Sequence, residues 1–224
     1  MKRYLPFVIV AVVAVLTVGA GAILYRAKQR TSAVGSVTAM SPGKLGAEPL
    51  HVRGLPGAPV TLEEFGDFQC PLCATVTDAI GKLEQDHGRR LRVVFRHYPL
   101  AMHSHAIEAA LAAEAAGLQG HFWEMHDLLY KNQAAWSNAS DPATAGQFFT
   151  AYARSLSLDV ERFAKDSNSD EVKARIFWEE QLGVSRGVKT TPTLFINDRE
   201  LRPPFTTEHL RAEIDAALGG SKSF

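Results

Sequence analysis

Only two cysteines occur in the 224 residues of this chain, and they stand three positions apart in "FGDFQCPLCATV" as Cys70 and Cys73. Thiols so placed can close a structural disulfide, supply half of a tetrahedral metal site, or make and break a redox bond. A disulfide here would close a very small loop, for which chain entropy gives only ~2 kcal/mol, against ~5 kcal/mol for a loop of roughly 100 residues. As a staple it is badly placed. Zinc would need two more ligands, because there is no second Cys-x-x-Cys; the nearest offers are His103 and His105 of "HSH", and His121 with His126. The first pair introduces a helix, and residues five apart do not share a helix face. We therefore expect no metal and no cofactor, and read these histidines as surface or satisfied polar groups.

Redox chemistry makes sense of the spacing. A strand that delivers Cys70 to a helix start, with Pro71 at the first helical position, aims free N–H groups and the positive end of the helix dipole at the first sulfur. That lowers the pKa of Cys70 and favours the thiolate, the form that attacks disulfides. Cys73, one turn further on, can then resolve the mixed disulfide by attacking Cys70.

The elements that must position this pair are legible. "PVTLEEF" (59–65) alternates and reads as a strand, and Leu72, Val76, Ile80 and Leu83 fall at helical spacing as far as "DHG". "LRVVFRHYPL" (91–100) is a buried strand, so strand, helix and strand make a βαβ unit with a parallel pair. A helical region follows, with stripes at Ile107, Ala110, Leu111, Ala115 and Leu118, then at Phe122, Met125, Leu128 and Leu129, then at Phe149, Tyr152, Ala153 and Leu156. Asp141-Pro142 is a helix start, and one more helix covers much of 159–183. "TPTLFIN" (191–197), a turn at Asn197-Asp198, "RELRP" (199–203) and a helix from Thr207 to Leu218 close the chain as ββα. The fold class expected is α/β, a βαβ unit and a ββα unit with an all-helical insertion at about 103–185.

The N-terminal part reads differently. Residues 1–4 are a short tail, and 5–25, "LPFVIVAVVAVLTVGAGAILY", carry no charge. At ~1.5 Å per residue this run reaches roughly 30 Å as a helix, enough to span a bilayer. It is expected to be a transmembrane anchor; the alternative is a signal peptide cleaved near Ala22, where "AGA" has the small-x-small pattern. Residues 26–47, rich in Ser, Thr, Gly, Ala and Lys, read as a flexible linker to a domain at 48–219. Lys plus Arg and Asp plus Glu number 24 each, so no long-range field favours nucleic acid as a partner.

Over 48–219 the blocks "EFGDFQCPLC", "FRHYPL", "HSHAIEAALAAEAAGLQGHFWEMHDLLY" and "TTPTLFIN" resemble, in order, those of the thioredoxin-fold disulfide oxidoreductases, in the DsbA-like branch with a helical insert. The resemblance implies a thioredoxin-like fold. It also implies that Pro192 is cis and lies against the cysteines, with no N–H to face the sulfurs, and that the Thr191 backbone pairs with an extended substrate peptide. Without the cysteines, Pro192 would simply open a strand. Glu64 falls where DsbA-like proteins carry a buried acid. Alternation from Val60 through Leu62 puts it on the apolar face as a proton acceptor for Cys73, with Glu63 toward solvent. Asp67 and Phe68 match a family pattern and are expected to shape the loop. Leu72 is counted with Thr191 and Pro192 as substrate-binding, and it departs from the Pro-His dipeptide of strongly oxidising members, which leaves the direction of electron flow open.

The expected protein is an enzyme, an extracytoplasmic thiol–disulfide oxidoreductase held in a bacterial-type inner membrane, or periplasmic after cleavage. It would donate disulfides to exported proteins and be reoxidised by a membrane redox partner. A disulfide isomerase or reductase of the same fold, or an anchored non-catalytic binding or assembly factor, are the alternatives.

Overall fold

Alternation in "VTLEEFG" and the apolar run in "LRVVFRH" place two seven-residue strands side by side at the centre of a five-stranded sheet. The structure is a computed structural model and describes residues 50–220. The expected anchor at 5–25, the linker at 26–47 and a cleavage site near Ala22 lie outside the described residues. Among the described residues no helix is long and apolar enough to cross a membrane.

The sheet runs β1 (His51–Arg53), β3 (Leu91–His97), β2 (Val60–Gly66), β4 (Thr193–Ile196), β5 (Arg199–Glu200). β2 and β3 are parallel, joined through α1 (Pro71–His87), while β1 on β3, β4 on β2 and β5 on β4 are antiparallel. The expected βαβ and ββα units are therefore present. β1 was not anticipated, since three residues are too few for a periodicity to show. "RELRP" is strand only at Arg199–Glu200, entered through a turn in which Asn197 and Asp198 both have positive φ, 45° and 66°.

One sheet face, with Val60, Leu62, Val93, Leu194 and Ile196, packs on Val76, Ile80 and Leu83 of α1 and on Leu210 and Ile214 of α8 (Thr207–Gly220). The apolar stripe of α1 starts at Cys73 and not at Leu72, which is 65% exposed in the first turn, ahead of the sheet. On the other face, Phe65 and Phe195 meet Tyr98 and Val188.

The insertion holds α2 (Ala106–Gly117), α3 (Phe122–Lys131), α4 (Gln133–Trp136), α5 (Pro142–Ser155), α6 (Val160–Ser167) and α7 (Asp170–Ser185). Asp141 caps α5 as expected, accepting from the Thr144 N–H at 2.9 Å. Two expectations change. The buried face of α2 is its alanines, among them Ala109, Ala112, Ala113 and Ala116, while Ile107 is exposed. This helix packs against α3, α5, α6 and α7 at once, so small side chains set its close approach, with Leu111 packed at the margin and Ile107 left outside. The single helix expected at 159–183 is two, because Ser169 accepts from the Val172 N–H and starts α7 afresh.

Candidate active site

Cys70 ends the loop after β2 in an extended conformation (φ −73°, ψ 121°) as N-cap of α1, with Pro71 at the first helical position. No side chain caps the helix, so its free N–H groups are left to the sulfur. Both cysteines are free thiols and buried, Cys73 completely. The Cys70 pKa is lowered to about 5, chiefly by the hydrogen bond from the Cys73 thiol, against the opposing effect of burial. The Cys73 and Leu72 N–H groups add to the lowering. Leu72 thus helps the thiolate through its backbone, which the sequence comparison of dipeptides could not show. Cys73 moves the other way. Burial drives its pKa far above the usual thiol range, and its hydrogen bond to Cys70 and the charge of Glu64 reinforce that. One sulfur is thiolate at neutral pH and its neighbour is protonated, the asymmetry that an attacking and a resolving cysteine require.

Thr191 and Pro192 reach the sulfurs from the far end of the chain. The Thr191-Pro192 bond is cis, both residues are buried, and the Cys70 Sγ lies 3.4 Å from the Thr191 carbonyl oxygen. The Thr191 hydroxyl has no hydrogen-bond partner in the protein. Leu72, exposed beside Cys70, offers apolar surface at the opening.

Glu64 lies under the pair, 2% exposed, and its Oε1 has no hydrogen-bond partner. Burial, and then the charge of Cys70, raise its pKa to about 8. Gly66 is needed beside it: a Cβ there would sit 2.5 Å from Cε2 of Phe95 and 3.1 Å from the Glu64 Oε1. Phe68 stacks on Phe95 at 5.1 Å and meets Tyr130 at 5.0 Å, so the floor around acid and sulfur is apolar. The Tyr130 hydroxyl is a second buried group without a partner.

Glu63 does not face solvent as expected. It is 8% exposed on the opposite sheet face, where Arg96 Nε donates to its Oε1 at 2.9 Å and Arg186 pairs with its Oε2. The pleat does separate the two glutamates, but Arg96 of β3 and Arg186 at the C-terminal end of α7 meet Glu63 on the second face.

The loop carrying Cys70 is fastened by residues that sequence reading only partly found. Asp67 Oδ1 accepts from the Gln69 N–H (2.7 Å), and its Oδ2 accepts from the Leu100 N–H (2.8 Å) and meets His103 Nδ1 (2.7 Å). The loop-shaping role expected of Asp67 is thus visible. Gln69 Oε1 accepts from the His105 N–H at 2.6 Å, and Gln133 Nε2 donates to the carbonyls of Phe68 (2.7 Å) and Cys70 (3.0 Å). Nothing local in the sequence marks Gln133, because its partners lie more than sixty positions away.

The histidines considered as zinc ligands do not gather at the cysteines. His103 and His105 face the loop and the Ala139 carbonyl, and His126, buried beside Asp127, has its pKa lowered to about 4 by burial. A different set, His51, His97 and Glu114, lies within ligating distance. There both imidazoles share Glu114 Oε1, at 2.5 and 3.0 Å, and Arg175 donates to Oε2 at 3.4 Å, so the group is closed by its own hydrogen bonds.

Comparison with known proteins agrees with this geometry. The family described as Thioredoxin matches residues 47–216. A thioredoxin-like oxidoreductase from Silicibacter pomeroyi DSS-3 superposes with a TM-score of 0.64 at 28% identity, covering 79% of this chain and 97% of that one. Oxidised BdbD from Bacillus subtilis superposes with a TM-score of 0.66 at 23% identity, covering 75% and 92%. Among curated proteins, the Na(+)/H(+) antiporter NhaA 1 of Mycolicibacterium gilvum is 38% identical over 174 residues, 75% of this chain but only 27% of that protein. The chain thus spans about a quarter of the length of the curated relatives it matches. On sequence and on the placement of its cysteines, the chain belongs to the thioredoxin family, with the fold of the DsbA-like thiol–disulfide oxidoreductases.

Proposed function

We propose that the protein is an extracytoplasmic thiol–disulfide oxidoreductase that donates disulfides to exported proteins. One observation carries this reading: the Cys70 sulfur sits at the helix mouth with its pKa lowered to about 5, hydrogen-bonded to a protonated Cys73 and 3.4 Å from the Thr191 carbonyl. A stabilised thiolate stabilises the reduced form, and that makes the disulfide the better oxidant.

In the forward reaction a client thiolate attacks Cys70 of the Cys70–Cys73 disulfide. The Cys73 sulfur leaves with the electron pair and takes a proton from Glu64. A second client thiolate then attacks the client sulfur, forming the client disulfide and releasing Cys70 as thiolate. Two electrons pass from client to protein, and a membrane redox partner takes them away again. No cofactor enters this scheme. The client backbone pairs with Thr191 beside Pro192, against the apolar surface of Leu72.

The uncharged run at 5–25 favours an anchor in a bacterial-type inner membrane, and the redox chemistry favours having the domain outside it. Antiport is by definition carried out across a membrane, so the occurrence of a similar domain in proteins named for it is in keeping with that placement.

The test is Cys73→Ser in the full chain. It should accumulate mixed disulfides between Cys70 and exported proteins, visible on non-reducing gels and lost with Cys70→Ser. A Cys73→Ser protein that captures nothing would instead favour a binding or assembly role, and a measured potential near that of thioredoxin would favour a reductase.

A further inference from the structure

Beneath the sulfurs the proton traffic has no visible outlet. Cys73 is 0% exposed and Glu64 is 2% exposed. Each cycle moves one proton between them, so Glu64 must afterwards recover its starting state from solvent. Phe68, Phe95 and Tyr130 close the floor.

A narrow cleft provides the way out. It is bounded by Glu64, Thr77, Ile80, Glu84, His126 and Arg53, and its volume of ≈ 10 Å³ has room for about one water. Glu64, whose Oε1 has no hydrogen-bond partner, is among its lining residues. Cys73, Thr77, Ile80 and Glu84 follow one another at spacings of four, three and four along a single face of α1. From Thr77 to Glu84 this face covers roughly 10 Å at ~1.5 Å per residue, and one water bound between them, with the Thr77 hydroxyl beside it, would shorten the gap. Buried polar atoms without protein partners are where such waters bind.

At the mouth, Arg53 of β1 holds Asp127 of α3 at 2.5 Å and Glu84 of α1 at 3.5 Å, and lies over the Trp123 ring at 4.4 Å. These groups differ in what they can do. Arg53 cannot accept a proton. The pKa of Asp127 is lowered overall: burial opposes this, but its hydrogen bond to His126 and the Arg53 charge outweigh burial and keep it ionised. His126 is 3% exposed and held neutral. Glu84 has a half-buried carboxyl whose pKa is raised by burial, against the pull of Arg53, and it touches both cleft and solvent.

We propose that Glu84 is the solvent-end proton carrier of the redox site, coupled to Glu64 by water in this cleft. When Cys73 leaves as thiolate, Glu64 gives it a proton and is left as a carboxylate. Cleft water protonates Glu64, Glu84 reprotonates the water, and bulk solvent restores Glu84. In the reductive direction every transfer reverses, and no electrons travel along the path. Glu84 touches neither sulfur, so it is a positioning residue for the proton. This inference rests on the redox reading above.

The test compares wild type, Glu84→Gln and Glu84→Asp in two reactions across pH. One is reduction of the oxidised protein by dithiothreitol, in which Cys73 must take up a proton. The other is alkylation of Cys70 by iodoacetamide, in which it need not. Glu84→Gln should slow the first about tenfold, below the 10²–10⁴ of a direct acid or base, and leave the second unchanged, while Glu84→Asp restores most of the rate. Arg53 keeps Asp127 in the Gln variant, so thermal melting should confirm an intact fold. Equal reduction rates and pH profiles for Gln and wild type overturn the proposal, as does equal slowing of both reactions or of both variants. A wild-type protein that does not react with dithiothreitol would sink the redox reading itself, which is a distinguishable failure.

Discussion

Glu63 and Glu64 are neighbours on β2, both buried, and the sheet pleat sends them to opposite faces. Glu63 joins Arg96 and Arg186. Arg96 Nη1 also reaches Glu179 Oε1 at 3.3 Å, and the His97 N–H donates to Glu179 Oε2 at 2.8 Å. Glu64 has an oxygen with no partner, a pKa raised to about 8, and the sulfurs above it. The same residue type, at the same depth, serves two ends. Where arginines meet it, the carboxylate ties α7 to the sheet; where they do not, burial keeps a proton that chemistry can use.

If that contrast is right, the largest loss of stability comes from the paired face. Arg96→Ala would leave Glu179 a buried charge without its cation and Glu63 with Arg186 alone, at a cost of about 3–5 kcal/mol. Urea titration measures it, and the reduction rate of the molecules still folded should change little. A loss under about 1 kcal/mol, the scale of an exposed pair, would break the comparison from the Glu63 side.

Glu64→Gln should act with the opposite sign on stability. In the folded protein Glu64 keeps its proton up to about pH 8, against 4.5 unfolded. Its contribution is therefore complete below pH 4.5 and is lost as pH rises through 8. Gln does not titrate, so wild type and variant should match in acid and diverge above pH 4.5, the variant being more stable by roughly 3 kcal/mol at pH 7. The same substitution should slow the step that protonates Cys73 by about 10²-fold. Stability curves that run parallel across this range would mean that Glu64 is ionised and paired after all.

Much of this could be read before the structure. Cys70 and Cys73, the helix start at Pro71, and the late Thr191-Pro192 lie in short blocks whose local patterns carry their meaning, and alternation was enough to bury Glu64. What was missed depends on partners remote in sequence. Glu63 reads as solvent-facing until Arg96 and Arg186 close over it. Gln133 holds the Cys70 loop from an unmarked four-residue helix. Of the α2 stripe at Ile107, Ala110, Leu111, Ala115 and Leu118, the structure buries Ala110 and Ala115 and exposes Ile107, because a helix surrounded by four others buries its alanines. The anchor at 5–25 was argued from hydropathy alone.

The thiolate sharpens the comparison at finer scale, since the Cys70 charge is held by neighbours and not by a countercharge. The alkylation rate of Cys70 should rise with pH about a midpoint near 5 and level off above it. Cys73→Ala removes the largest lowering contribution, and a midpoint raised by about one pH unit should cut the rate near pH 5 about fivefold. An unmoved midpoint would assign the lowering to the helix N-terminus instead.

Leu72→Ala should do least to that midpoint. The side chain is 65% exposed, and Leu72 acts on the thiolate through its N–H, which alanine keeps. Its effect should appear in the affinity for client peptide, by about 1 kcal/mol for a partly buried aliphatic contact, measured as a rise in half-saturation with an unchanged rate at saturation. Should the midpoint climb instead, the leucyl side chain would be shielding the sulfur from water. The dipeptide between the cysteines would then tune the thiolate by exclusion of solvent, and the backbone would be only its frame.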